Sequence, residues 1–203
     1  MARVSPELSD TPAAGRPRDP VLEQAILEAT VEVVVEKGFA AAKLDEIARR
    51  AGTGKAAIYR RWPGKTALVI AAAQNLRGNA PVPDRGSLRE DLLACVRHYV
   101  SPSARAALML ANVLAEATRD GEVREAVTAS IGRPPAEALR TVIERWIARG
   151  TVDPSVPVEL VSLLVPSVAF HRVVLMHEGL DEATAVALVD DVLLPALEAR
   201  RSS

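Results

Sequence analysis

Apolar residues recur along this chain at helical spacing from about residue 20 onward. Leu22, Ile26, Ala29 and Val33 form one stripe, and Leu44, Ile47, Ala48 and Ala51 form another at i, i+3, i+4 and i+7. Farther on, Leu92, Leu93, Val96 and Tyr99 repeat the spacing, as do Leu108, Met109, Leu110, Val113 and Leu114. Few sustained strand patterns interrupt them, so an all-α fold of about nine helices is expected. Breaker residues mark the ends. Asp19 caps the first helix with Pro20 in its first turn, and Gly38 ends it. Gly52 stops the second helix, and a third, starting near Lys55, is broken by Trp62, Pro63 and Gly64. A fourth runs from Gly64 to Arg77, followed by a Pro- and Gly-containing linker from Gly78 to Gly86.

Beyond the linker every segment reads as helix. Leu88 to Val100 comes first, then a helix opened by Pro102. Glu122 to Ile131 and Ala136 to Ala148 are two helices, or one kinked at Gly132, Arg133, Pro134 and Pro135. Gly150 to Pro157 is a loop, and the last two helices cover about Pro157 to His177 and Asp181 to Arg200. The chain thus divides into a disordered arm (1–18), a three-helix unit (19–66) and a helical body (67–203). The penultimate helix is apolar on nearly all sides and must be covered all round. Two terminal helices from each of two chains, with Leu164 and Leu193 at their contacts, make an intersubunit four-helix bundle and hence a homodimer. The alternative is a thick monomeric core. Pro166, His171 and Arg172 within the apolar stretch argue against a membrane span, so no membrane partner is expected.

The stretch LDEIARRAGTGKAAIYRRW, from Leu44 to Trp62, carries the chemistry. Ile58 and Trp62 lie four apart on the inner side of its second helix, while Lys55, Tyr59, Arg60 and Arg61 lie on the other. Two helices joined by a tight Gly-containing turn, the second basic and outward-facing, make a helix-turn-helix. The net charge of −1 says nothing about nucleic acid, but its distribution does. From Lys43 to Arg77 eight Lys or Arg face two acids, and from Gly78 to the end 13 basic residues face 17 acidic ones. Such a chain suits a polyanionic partner at one end, here double-stranded DNA. Three of its six aromatics (Phe39, Tyr59 and Trp62) fall in the same region, where a small unit needs bulky core residues.

Other chemistry is thin. The single Cys95 fits a reducing cytoplasm, and the first 20 residues hold no apolar run of a signal peptide. Cys95 and His98 share a helix face, but a metal site would need His171 and His177 from another helix, so core or surface roles fit better. No Gly-rich phosphate loop, nucleophile elbow or triad pattern is present. The chain is expected to be no enzyme and to need no cofactor.

The string AGTGKAAIYRRWPGK, preceded by LDEIARR, closely resembles the signature of the TetR family of transcriptional regulators. The resemblance runs from about the first helix to Leu68; beyond it, only the all-helical architecture is similar. It implies that Lys55, Ala56 and Ala57 face bases, that Tyr59 bonds a phosphate, and that Lys65 does so from the next helix. Arg60 and Arg61 lie where side chains reach bases or backbone, and Arg can pair bidentately with guanine or simply neutralise phosphate. Two positions depart from the family. Lys43 stands where Thr is usual, losing a helix cap or gaining a phosphate contact, and Gly54 stands where Ser is common. Arg16, Pro17 and Arg18 read as a solvated tail or as an arm reaching a minor groove. The resemblance also implies a pocket in the body, for which Cys95, Tyr99, Met109, Val113, Trp146, Phe170, His171 and Val174 are candidates; the same residues also read as plain core. Apolar walls would favour a hydrophobic or aromatic small molecule. The expected function is a homodimeric regulator, a repressor released from a near-palindromic operator by a small effector. The alternative is a constitutive DNA-binding or interaction module with a packed scaffold and no effector.

Overall fold

The computed structural model describes residues 19–101 and 103–198. Residues 1–18, where an arm is expected, Pro102, and residues 199–203, where the last helix is expected to end, lie outside the described residues. Nine helices make up the described fold. They are α1 (Pro20–Ala41), α2 (Leu44–Arg50), α3 (Lys55–Tyr59), α4 (Lys65–Arg77), α5 (Leu88–Arg97) and α6 (Ala104–Ala117), followed by three runs that each contain a π-helical segment, α7 (121–148), α8 (158–176) and α9 (182–198). Among the described residues no strand forms, only one isolated bridge between Val100 and Leu180.

The caps follow from side-chain chemistry. Asp19 accepts from the amides of Val21 (3.0 Å) and Leu22 (3.3 Å), and Gly38 breaks α1 with φ 79°, leaving one short further turn. Ser87, Ser103, Asp120 and Asp181 cap α5, α6, α7 and α9 in the same way. Lys43 and Gly54, at the same position before α2 and α3, offer no side-chain cap.

One helix replaces the broken pair expected between 122 and 148. Gly121–Val127 runs into a π-helical segment, Thr128–Gly132, and straight on through Arg133–Ala148. Pro134 and Pro135 have no N–H to give the carbonyls of Ser130 and Ile131, so the ladder widens instead of stopping. The orphaned Ser130 carbonyl accepts from Gln74 Nε2 of α4 at 2.9 Å.

Two cores hold the chain. The first joins α1 to α4 with Met109, Val113 and Ala117 of α6 and Val123, Val127 and Ile131 of α7. α1 is therefore buried on more than the one expected stripe: Leu27, Val31 and Val34 are covered as well as Ile26, Ala29 and Val33. The boundary expected after residue 66 falls within this core. The second core joins α5, the later part of α7, α8 and α9. The linker of residues 78–86 is pinned to it, since Arg145 donates to the Pro83 carbonyl (2.7 Å) and Arg145 and Arg149 both pair with Asp84 (3.2 Å each). Fully buried Asp91 accepts from Arg85 N (2.6 Å) and Trp146 Nε1 (2.9 Å), so its charge is hydrogen-bonded as burial requires.

α8 is not covered all round in the single chain. Leu160, Leu163, Phe170, Leu175 and Met176 are exposed, and so is Val192 of α9. Leu193, expected at an intersubunit contact, is instead fully buried in the chain's own core, and Leu164 is partly buried. By length and composition Val158–Met176 is also apolar enough to cross a membrane.

Candidate nucleic-acid interface and body cavity

The turn between α2 and α3 is built by Gly52. Its φ of 66° lets Thr53 N reach the Ala48 carbonyl (2.9 Å) and Gly52 N the Arg49 carbonyl (3.2 Å), the paired bonds of a Schellman motif. α2 is held to α1 by ion pairs. Arg50 grips Glu36 through both nitrogens (2.8 and 2.6 Å) and Glu46 at 2.8 Å, while Lys37 meets Glu46 at 2.6 Å. These bonds hold both carboxyls below the usual carboxylate range and raise the Arg50 guanidinium above its own.

α3 has two sides. Ile58 is fully buried and Trp62, just past the helix, nearly so. Lys55, Ala56, Tyr59 and Arg60 are exposed, as is Lys43 ahead of α2. Lys55 Nζ pairs with Asp45 Oδ1 at 2.8 Å, and that hydrogen bond raises its pKa and keeps it charged. Three of the residues expected on this face lie elsewhere. Ala57 is buried against the head core at 6% exposure. Arg61 has its side chain 9% exposed, donates Nη1 to the Ala57 carbonyl at 3.1 Å and lies 3.9 Å from Glu23 of α1. Lys65 Nζ donates to the carbonyls of Phe39 (3.0 Å) and Ala40 (3.2 Å) and sits 4.8 Å over the Phe39 ring. It adds a donor at the C-terminal end of α1, where the Phe39 carbonyl also accepts from Ala42 N at 3.3 Å.

The body holds an apolar cavity of about 140 Å³ between α6, α7 and α8, walled by Leu110, Leu114, Ile131, Pro166, Phe170 and Val173 and reached by Tyr99 and Arg77. Of the eight residues expected to line a pocket, Tyr99 and Phe170 line this one. Met109 and Val113 are filled into the first core at zero exposure, Trp146 is spent on Asp91, and His171 is exposed. Val174, partly buried, is not among its walls. Cys95 borders a separate groove beneath the linker, and burial pushes its thiol up to about 12. Arg77 was not foreseen. In the sequence it counts only as the last of the basic residues from Lys43 to Arg77. Its Nη2 is 3.4 Å from the His98 carbonyl, its Cζ lies 5.4 Å over the Tyr99 ring, and burial lowers its pKa. Among the described residues, no groups of three or more His, Cys, Asp or Glu are placed to hold a metal ion.

A short basic helix presented by a Gly turn on an all-α body defines a helix-turn-helix DNA-binding protein. Residues 26–72 match the family described as bacterial regulatory proteins, tetR family, and residues 82–192 match the tetracyclin repressor-like C-terminal domain. The chain belongs to the TetR family of DNA-binding transcriptional regulators. It is 29% identical over 192 residues to an uncharacterized HTH-type transcriptional regulator of Mycobacterium bovis, Mb1581, covering 92% of this chain and 95% of that one. It is 28% identical over 173 residues to the DNA-binding transcriptional repressor TetR of Mycobacteroides abscessus, covering 84% and 90%. Among solved structures, Bacillus subtilis FadR in complex with stearoyl-CoA shares the fold with a TM-score of 0.59 at 18% identity, over 86% of this chain and 97% of that one.

Proposed function

We propose that residues 19–66 read DNA through Lys55, Ala56, Tyr59 and Arg60, with Lys43 beside them, and that residues 67–203 dimerise and receive an effector. The observation that carries this reading is the exposed side of α3, where Lys55, Tyr59 and Arg60 face solvent while Ile58 and Trp62 anchor the other side. Tyr59 and Lys43 suit phosphate contacts, which position without reading sequence; Lys55 and Arg60 suit base edges. Lys65 gives two of its three ammonium hydrogens to the Phe39 and Ala40 carbonyls, which leaves one for a phosphate, and Arg61 serves the head's packing instead.

A homodimer through α8 and α9 covers the exposed Leu160, Leu163, Leu175 and Met176 and sets two heads about 34–36 Å apart on a near-palindromic site. The protein acts in the cytoplasm as a repressor, by likeness to the Mycobacteroides abscessus relative. A small, hydrophobic effector in the body cavity releases the DNA by binding better to the state with the wrong head spacing. α4 is the lever, since it follows the recognition helix and ends at the cavity. The cavity favours this reading over a packed scaffold without effector.

The test is an anisotropy titration of selected operator DNA at several salt concentrations. Tyr59→Ala is expected to weaken binding to all sequences alike while leaving the slope of log K against log salt nearly unchanged, because a neutral hydroxyl displaces no counterion. Arg60→Ala is expected to relax sequence preference by ~1–3 kcal/mol at one base pair. Unchanged affinity for Tyr59→Ala and unchanged preference for Arg60→Ala would overturn the assignment.

A further inference from the structure

The polar end of the body cavity carries a demand that the rest of the chain leaves unmet. Tyr99 is 8% exposed and its hydroxyl is buried with no hydrogen-bond partner. A buried hydroxyl left unpaired is costly, and native structures seldom tolerate one without a use. Beside it, Arg77 is partly buried, and its contacts are a long bond to the His98 carbonyl and the face of the Tyr99 ring. No Asp or Glu lines this cavity, and no ion pair to Arg77 forms among the described residues. A cation withdrawn from water without an anion is the second unmet demand. Apart from Ser101, the rest of the lining carries no polar side chain, and its larger walls are Leu110, Leu114, Ile131, Pro166, Phe170 and Val173.

We propose that this cavity binds a small apolar carboxylic acid, its carboxylate held between the Arg77 guanidinium and the Tyr99 hydroxyl and its ring or branched chain among the apolar walls. This deepens, and rests on, the reading of the body as effector-binding. The carboxylate accepts from both groups, satisfying the hydroxyl and neutralising the guanidinium in one step. Size narrows the class. At about 140 Å³ the cavity takes roughly one benzene-sized ring, so a long acyl chain does not fit. Arg77 also ends α4 and is followed by Gly78 at φ 70°, so a ligand that draws on Arg77 acts on the helix leading back to α3. Burial disfavours the charged guanidinium of Arg77, and a bound carboxylate offsets that cost.

The test uses the full chain and titration calorimetry with benzoate, 3-phenylpropionate and the neutral benzamide. Benzoate or 3-phenylpropionate is expected to bind at least 10-fold more tightly than benzamide. Tyr99→Phe, which removes only the hydroxyl, is expected to weaken the acid roughly 10-fold, and Arg77→Gln to weaken it by up to roughly 100-fold, with benzamide little changed. Circular dichroism checks that both variants keep their helices. Benzamide binding as well as the acids, acids binding Tyr99→Phe and Arg77→Gln as well as wild type, or no acid binding to a protein that still binds DNA would each overturn the proposal. Operator release is read separately. If the acid binds through Arg77 and Tyr99 yet leaves operator affinity unchanged, the site stands and the effector reading falls.

Discussion

α3 and α8 each leave one side bare, and the chemistry of the two bare sides is opposite. On α3 the uncovered side chains are Lys55, Tyr59 and Arg60, solvated and charged or polar. On α8 they are Leu160, Leu163, Phe170, Leu175 and Met176, an apolar surface that water disfavours. A polar face needs no partner to be stable, so α3 can wait for DNA. An apolar face of this extent is a permanent cost until something covers it. Under the proposed dimer, the body pairs first and the heads meet DNA afterwards as a pair.

The sharpest way to break that comparison is to make α8 resemble α3. Leu163→Glu places a charge in the middle of the proposed intersubunit face, where a truncated anchor alone often costs ~2 kcal/mol or more. Two-fold symmetry applies the change twice and sets like charges near one another. Light scattering is expected to show monomers at micromolar concentration with helical content retained, and operator affinity is expected to fall by more than 100-fold. A dimer that persists would move the interface off α8. Leu193→Glu is the wrong variant for this purpose. That side chain is in the chain's own core, so the charge would unfold the body instead of dividing a dimer.

Why Leu193 and Arg61 misled, while the helices did not, is a matter of what periodicity encodes. Spacing at i, i+3 and i+4 locates an apolar stripe, and it located those of α1, α2, α5 and α6. It does not say whether the stripe meets the same chain or another copy, because both neighbours are equally apolar; hence Leu193. Arg61 shows the reverse, that charge does not guarantee exposure, since its side chain is only 9% exposed. The register held the answer. Residues four apart share a face, so Ala57 and Arg61 turn inward together with Ile58 and Trp62, while Lys55 with Tyr59 and Ala56 with Arg60 turn outward. A guanidinium on a long stem tolerates that position by bonding the Ala57 carbonyl. The cavity was less legible still. Tyr99 and Phe170 were identifiable as large residues, but the π-helical segment that brings Ile131 and Gly132 to its wall depends on Pro134 and Pro135 together, and no stripe announces it.

The two regions also differ in how acid should affect them. The head's ion pairs are exposed, and solvent screens them. At the body's end of α4, burial and the neighbouring Arg77 charge depress His98 from its ordinary 6.5 to about 4, against a weaker opposing hydrogen bond with the Asn79 backbone. The folded chain therefore refuses a proton that the unfolded chain accepts below about 6.5. Stability should fall as pH drops through the window from 6.5 to 4 and lose nothing further from this group below it. Because His98 keeps some exposure, the loss is on the order of 1–2 kcal/mol. Urea unfolding of wild type and His98→Gln at pH 7.5 and 4.5 measures it, since the carboxylates titrate alike in both. Equal losses in the two proteins would show that His98 carries no such linkage.

The smallest effect sharpens the comparison at the head. Lys43 sits at the N-cap of α2 and gives no side-chain bond to the first turn, although its backbone carbonyl accepts from Glu46 N and Ile47 N (3.1 Å each). A positive charge also stands at the positive end of the helix dipole. Lys43→Thr supplies a hydroxyl and removes the charge, and is expected to stabilise the chain by ~0.5–1 kcal/mol, seen as a rise in Tm of a few degrees. The same substitution asks why Lys is there. If Lys43 meets a phosphate, operator affinity falls across all sequences and the salt slope drops by ~0.9, so the weaker cap is offset by a DNA contact. If stability rises while affinity and slope stay fixed, Lys43 is not part of the reading face, and the phosphate contacts lie with Tyr59 and its neighbours on α3.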